Sequence, residues 1–267
     1  MTASKLNVTI IISILNKIQD QNSKKTGETD KKIIMELIIG GGTYGKLAFD
    51  KIQDEGGSIV VIDEDPYCIV QKEYHLLEVS AGTTLPEGTV FIKGGVETAA
   101  WIVAGSSRGS GPRKYMQGRI FPTAPVHIAA GIISEICRFV PDPEGAERAA
   151  SRIPEDLIIG RKDADIYCSL NREKNCLPRC PSPKICPVTG ERRDVPLWKT
   201  LRDCLSGGGK IGLPSSFVVE SRQLSPGLGY IDCVDLNEAI KKTCKEDSIL
   251  AATACTCHGV VTALRKI

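Results

Sequence analysis

The segment Leu37-Ile38-Ile39-Gly40-Gly41-Gly42-Thr43-Tyr44-Gly45-Lys46 constrains this chain more than any other. An apolar run that closes on glycine, with further glycines at 42 and 45, fits a strand entering a tight turn and then a helix. Each glycine has its own physical reason. Gly40 permits the tight turn, Gly42 lets the backbone approach a diphosphate, and Gly45 lets the helix pack closely on the strand. Gly41, Thr43 and Tyr44 complete the turn, and the N–H groups that open the helix would meet the phosphates. A helical stretch over Tyr44 to Asp54 and an apolar strand over Ser58 to Asp63 complete a β-α-β unit. Its last residue, Asp63, would accept hydrogen bonds from a ribose and repel a 2′-phosphate, which favours NAD over NADP.

These residues resemble the Rossmann-type NAD-binding domains, particularly those of potassium-uptake regulators and of dehydrogenases, over roughly residues 35 to 65. Residue by residue, the resemblance implicates Gly40, Gly42, Gly45 and Asp63. Flavin or another nucleotide also fits a turn of this kind, and so does a domain of the same shape that binds no nucleotide.

Strand and helix signals continue to alternate beyond residue 65. Strands are expected at Thr89 to Lys93, Asp156 to Gly160, Ser216 to Glu220 and Ile249 to Ala254. Helices are expected at Glu97 to Ala104, Val126 to Phe139, Leu197 to Leu205, Leu236 to Cys244 and Gly259 to Arg265. The pattern predicts an α/β fold: a Rossmann-like, doubly wound and mostly parallel sheet with a Cys-rich loop insertion. Residues 35–160 form the dinucleotide-binding domain, 161–210 the metal-binding insert, and 211–267 an α/β segment that continues the fold. Ser106 to Pro125, rich in Gly, Pro, Ser and Arg, reads as a mobile surface loop and a substrate lid.

Residues 1–34 stand apart. They hold a surplus of three positive charges out of the chain's net +2, so the remainder is close to neutral. The apolar run Val8 to Leu15 is too short to span a bilayer, and the polar stretch after it lacks apolar periodicity. The sequence predicts a disordered leader, with Met35 as an alternative start. A near-neutral body offers no broad surface for nucleic acid or anionic lipid, and the absence of an export signal points to the cytoplasm.

Eleven cysteines in such a chain fit a disulfide framework poorly. Cys168, Cys176, Cys180 and Cys186 fall in a proline-stiffened stretch, Asp163 to Pro196, with too few apolar residues for a core of its own. A metal held by these four would supply the missing ordering energy. Cys180 and Cys186 each precede a proline, as in ferredoxin-like cluster loops, and the spacing is irregular, so a [4Fe-4S] cluster is the first reading. Zinc is the alternative, supported by the Cys176–Cys180 spacing, and unligated thiols are the third reading. Cys255-Thr256-Cys257-His258, ahead of an expected helix, would gain reactivity from the helix terminus, making Cys257 and His258 candidate catalytic residues or extra ligands; the other reading is a buried strand end at Cys255 and a helix cap at His258. Cys68, Cys137, Cys204, Cys233 and Cys244 read as single core thiols, and His127 as structural.

If the strands run in a common direction, the glycine turn, Asp63, the insert, the Cys255–His258 turn and the loop around Arg222 share one rim. Arg222 would hold an anionic substrate group there. The leading functional expectation is a cytoplasmic NAD-binding iron–sulfur oxidoreductase acting on a small molecule or a redox partner protein, with a homo-oligomer compatible. Hydride donors and one-electron clusters need an intermediary, and no second nucleotide motif stands in the sequence. The alternatives are a non-enzymatic nucleotide-binding redox sensor and a Rossmann protein with structural zinc.

Overall fold

The computed structural model describes residues 35–83, 85–105, 118–172, 175–206 and 214–267. The expected leader, and residues 106–117 of the expected lid, lie outside the described residues.

Short apolar runs bounded by turn residues build the first half. β1 (Met35–Ile39) leads through α1 (Thr43–Ile52) to β2 (Ser58–Asp63). α2 (Ile69–Tyr74), the two-residue β3 (Leu77–Glu78), β4 (Thr89–Lys93), α3 (Val96–Val103) and β5 (Arg119–Pro122) follow. These five strands are all parallel, in the order β3-β4-β2-β1-β5. Period-two alternation sends Leu37 and Ile39 into a core with α3, while Ile38 packs with Phe49 and Ile52 of α1 on the opposite face. Both faces are therefore covered, which accounts for near-continuous apolar strands rather than alternating ones.

The second half contains α4 (Ile128–Cys137), β6 (Phe139–Pro141), α5 (Pro143–Ala150), β7 (Ile158–Lys162), β8 (Asp165–Ser169) and α6 (Leu197–Leu205). It ends with β9 (Ser215–Ser225), β10 (Leu228–Asp232), α7 (Cys233–Thr243), β11 (Ser248–Ala254) and β12 (His258–Lys266). Its strands extend the same sheet in the order β5-β10-β9-β11-β12-β8-β7, with β6 beside β12. β11 is buried on both faces: Ile249 and Ala251 join the first core, Leu250 and Ala252 a second one under α5 and α6.

The sheet is mixed, not mostly parallel. β10 is antiparallel to β5 and β9, β12 to β11 and β8, and β8 to β7. For three of these pairs the reason is connection length. Two, three and two residues separate the paired strands β7–β8, β11–β12 and β9–β10, whereas a parallel crossover needs about a dozen or more. The same constraint overturns the helix expected over Gly259 to Arg265, because a chain reversing within three residues of β11 pairs with it. Val260, Val261 and Thr262 are β-branched and suit that strand.

Other boundaries also move. β5 lies inside the stretch expected to be a loop, because Arg119-Ile120-Phe121-Pro122 carries two large side chains that are fully buried beside β1. β8 claims the start of the expected insert, for Ile166 and Cys168 alternate into the second core. Cys137 and Cys244, expected as single thiols, form a disulfide between the end of α4 and the end of α7, with Cα atoms 4.8 Å apart. His127 is structural as expected. Its Nδ1 lies 2.6 Å from Thr262 Oγ1 and its Nε2 2.9 Å from Thr253 Oγ1, and desolvation of the half-buried ring pushes its pKa down to about 3. The Thr262 hydroxyl donates to Asp165, so it accepts from Nδ1–H, and Nε2 accepts from Thr253. Among the described residues no helix is long and apolar enough to cross a membrane.

Candidate functional site

The glycine turn sits at the carboxyl end of β1, where the winding of the parallel strands changes side between β1 and β5. Gly40 has φ +107°, and a Cβ there would stand 2.7 Å from Ala124 N. The end of β5 has come close enough that only glycine fits. Gly45 is tighter still: its Cβ would fall 1.9 Å from Gly40 O, so α1 lies directly against the turn. A Cβ at Gly41 would meet Cys68 Sγ at 2.3 Å, whereas one at Gly42 would meet nothing within 4 Å. Gly42 is the N-cap of α1 and no side chain caps the helix there, with Thr43 and Tyr44 exposed in the first turn.

Asp63 closes this turn. Its carboxylate accepts Gly41 N–H at 2.5 Å and Asp65 N–H at 2.8 Å, which fixes the end of β2 against the glycines. Thr123, which was not foreseen, donates its hydroxyl to Gly40 O at 2.7 Å and to Ile39 O at 3.0 Å. A cavity of about 400 Å³ opens beside these groups, lined by Tyr44, Pro122 to Pro125 and Gly227 to Gly229. Tyr44, Gly227 and Gly229 of its wall are expected at this rim from the sequence, whereas Pro122 to Pro125, at the end of β5 and just after it, lie in the Gly- and Pro-rich tract expected to be a lid.

The expected common rim survives although the strands do not all run one way. β9, β11 and β8 are parallel to β1, so their carboxyl ends lie on its side. The antiparallel β10 and β12 begin there. The insert after β8 and the Cys255–Cys257 turn therefore share an edge with the glycine turn. The insert also touches the β9–β10 hairpin that walls the cavity: the backbone of Arg179 lies against Gly227, where a Cβ would stand 2.7 Å from Arg179 Cα, and Gln223 Nε2 donates to Cys180 O at 2.7 Å.

The thiols divide into groups. Cys168 points into the second core beside α6, and burial raises its pKa to about 11, so it lies with apolar side chains and not with the insert. Cys176 Sγ is 3.1 Å from His258 Nε2 and accepts from Asn171 Nδ2 at 3.3 Å. Cys180 Sγ accepts Ser182 N–H at 3.4 Å, and Cys255 Sγ accepts the N–H groups of Cys257 and His258, each at 3.4 Å. Cys257 Sγ meets Arg193 Nη1 at 2.6 Å and Ser182 Oγ at 3.3 Å. Cys186 is held in its own short turn, where bonds from Thr189 and the nearby Arg193 bring its pKa down to about 7. Arg193 and Ser182 carried no signal in the sequence, since a single Arg or Ser in a polar loop has no period or spacing. Among the described residues, no three His, Cys, Asp or Glu side chains are placed to hold a metal ion.

Two expected roles need correction. No helix follows Cys257, so there is no helix terminus to depress its pKa; burial instead raises it. Arg222 is surrounded by Asp235 at 2.8 Å, Asp232 at 3.6 Å and Glu220 at 3.8 Å. Three carboxylates of the chain itself already take up its charge, which removes the reason for an anionic substrate to bind there.

Residues 35–128 match the family model AF_1314_N, described as an uncharacterized protein's N-terminal domain, and residues 129–267 match AF_1314_C, the C-terminal domain. The chain belongs to this family. It is similar to an uncharacterized protein of Archaeoglobus fulgidus, with 33% identity over 232 residues, covering 87% of this chain and 100% of the relative. No solved structure matches.

Proposed function

We propose that the chain binds NAD at the turn after β1 and uses it in redox chemistry, as an NAD-dependent oxidoreductase acting on a small molecule or a redox partner protein. The parallel half is Rossmann-like in its winding, and open sheets of that kind take ligands where the winding changes side. The observation that carries the reading is Gly42. Gly40 and Gly45 are glycines because the fold collides with anything larger, but Gly42 has ordinary backbone angles and open space before it. A residue without a side chain there serves something that approaches from outside, and the uncapped N–H groups of α1 favour an anion. Asp63, fixed at the end of β2, supplies the carboxylate for the ribose.

Titration of the full chain with NADH and NADPH, followed by nucleotide fluorescence, tests this directly. We expect NADH to bind and NADPH to bind more weakly. Gly42→Val should abolish binding while leaving the thermal midpoint near the wild-type value. Equal binding by Gly42→Val would remove the support for the turn as a phosphate cradle.

A second reading, a nucleotide-binding sensor without turnover, draws on the cavity wall. Among the described residues that line it, only Tyr44 is titratable, so no acid–base pair stands beside the proposed nicotinamide. Steady oxidation of NADH with small-molecule or protein electron acceptors would favour the enzyme, and binding without oxidation the sensor.

A further inference from the structure

The insert over residues 175–196 has no core. Leu177, Ile185 and Val195 are exposed, and one isolated bridge, Ile185 to Arg192, is its only strand pairing among the described residues. Polar contacts gathered around sulfur hold it to the sheet. Asn171 and His258 meet Cys176, Ser182 joins Cys180 to Cys257, and Arg193 runs from the insert to Cys257. Cys180 and Cys255 both lie close enough to Cys257 for their charges to be felt there.

We propose that Cys176 and Cys180 of the insert, with Cys255 and Cys257 of the β11–β12 turn, form a four-thiolate site for a thiophilic metal. Two features point to these four, while Cys186, although Thr189 N–H steadies its sulfur as well, makes its hydrogen bonds within its own turn. They come from two segments that the sheet brings to one edge, so a metal between them would tie the coreless insert to the rigid strands. Each sulfur also has a polar partner placed to steady a thiolate: the Asn171 amide for Cys176, Ser182 N–H for Cys180, two turn N–H groups for Cys255, and the Arg193 guanidinium for Cys257. Hydrogen bonds to ligating sulfurs, and a cation beside a centre of net negative charge, are what such sites require around them. His258, against Cys176, belongs to that outer layer. As placed, the four side chains do not form a metal-holding group, and a metal ion would have to draw them together by side-chain rotation. Zinc binding displaces the thiol protons to solvent with no electron transfer, whereas a [4Fe-4S] cluster in its common +2 state combines ferrous and ferric iron in equal number with sulfide, so both iron states have to be supplied.

Four thiolates suit zinc or a [4Fe-4S] cluster, and one experiment separates them. The full chain is purified anaerobically, and zinc, iron and acid-labile sulfide are measured per chain before and after reconstitution with zinc alone or with an equal mixture of ferrous and ferric iron and sulfide. We expect either one zinc or a matched set of iron and sulfide. Cys176→Ser, Cys180→Ser, Cys255→Ser and Cys257→Ser should each weaken retention against a chelator by more than the roughly 10–100-fold typical of an outer-layer change. Cys168→Ser and Cys186→Ser should retain the wild-type metal content. Circular dichroism of every variant separates loss of metal from loss of fold. The proposal is overturned if the wild-type chain holds neither metal after reconstitution. It is equally overturned if a variant lacking all four thiols, with native circular dichroism, keeps the metal, or if Cys168→Ser or Cys186→Ser loses it. Nucleotide binding plays no part in this measurement, so the two proposals stand or fall separately.

Discussion

The glycine turn and the cysteine insert lie on one rim and are ordered by opposite means. The turn is held by steric exclusion: α1 and β5 press on Gly40 and Gly45 so closely that a single carbon would not fit. The insert is held by directed contacts to polar atoms, with its large apolar side chains facing water. A loop pressed between two strands and a helix keeps its shape whether or not a ligand is present. A loop tied by sulfur and guanidinium keeps its shape only while those atoms hold their ionisation and partners.

The largest effect that would sharpen this contrast is at Gly45. Gly45→Val forces α1 off Gly40 O, and we expect a loss of about 4 kcal/mol or an insoluble chain, as for severe overpacking. A native thermal midpoint for this variant would break the claim of steric ordering. Next comes acid. His127 is half-buried between two threonines and held neutral by desolvation with a pKa of about 3, against about 6.5 unfolded, so the unfolded chain takes up the proton first. Stability from this group is intact above pH 6.5 and declines by about 1.4 kcal/mol per pH unit below it, or about 2 kcal/mol by pH 5. Denaturant melts of wild type and His127→Gln at pH 7 and 5 check this, because the variant should lack that increment of slope.

A smaller, local effect is expected in the insert. Cys176→Ser should leave the global midpoint within about 1 kcal/mol while opening residues 175–196 to protease several-fold faster. Unchanged protection would show that Cys176 does not order the loop. The smallest effect is at Gly42, where alanine should change stability by no more than about 0.5 kcal/mol, for its methyl meets no protein atom. Nucleotide affinity, measured alongside, should fall clearly.

The glycine turn was legible because each of its restrictions is local: tight turn, helix start and strand all lie within a dozen residues. α6 was legible over Leu197 to Leu205 for the same reason, with Leu197, Leu201 and Leu205 spaced four apart on one buried face. The reversal at Cys255–Cys257 was not legible. Gly259 to Arg265 is apolar enough for a buried helix or a buried strand, and only pairing with β11 decides between them. Cys168 misled in a related way, since its distance from Cys176 along the chain says nothing of the strand that turns it into the core. Arg222 drew attention as a lone cation on a loop, yet the carboxylates beside it come from the same strand, the next strand and α7.

The pairing of β5 with β10 has a further consequence for how this chain can be divided. The two family matches meet between Ile128 and Ala129, yet Ile120 of the first aligns with Ile231 of the second in one unbroken ladder. Cutting the gene at that junction would leave each product with a raw, apolar border of unsatisfied peptide groups, ready to associate with any similar border. The two matched segments are thus one mechanical plate, and any motion that admits a ligand has to come from the loops along its edge.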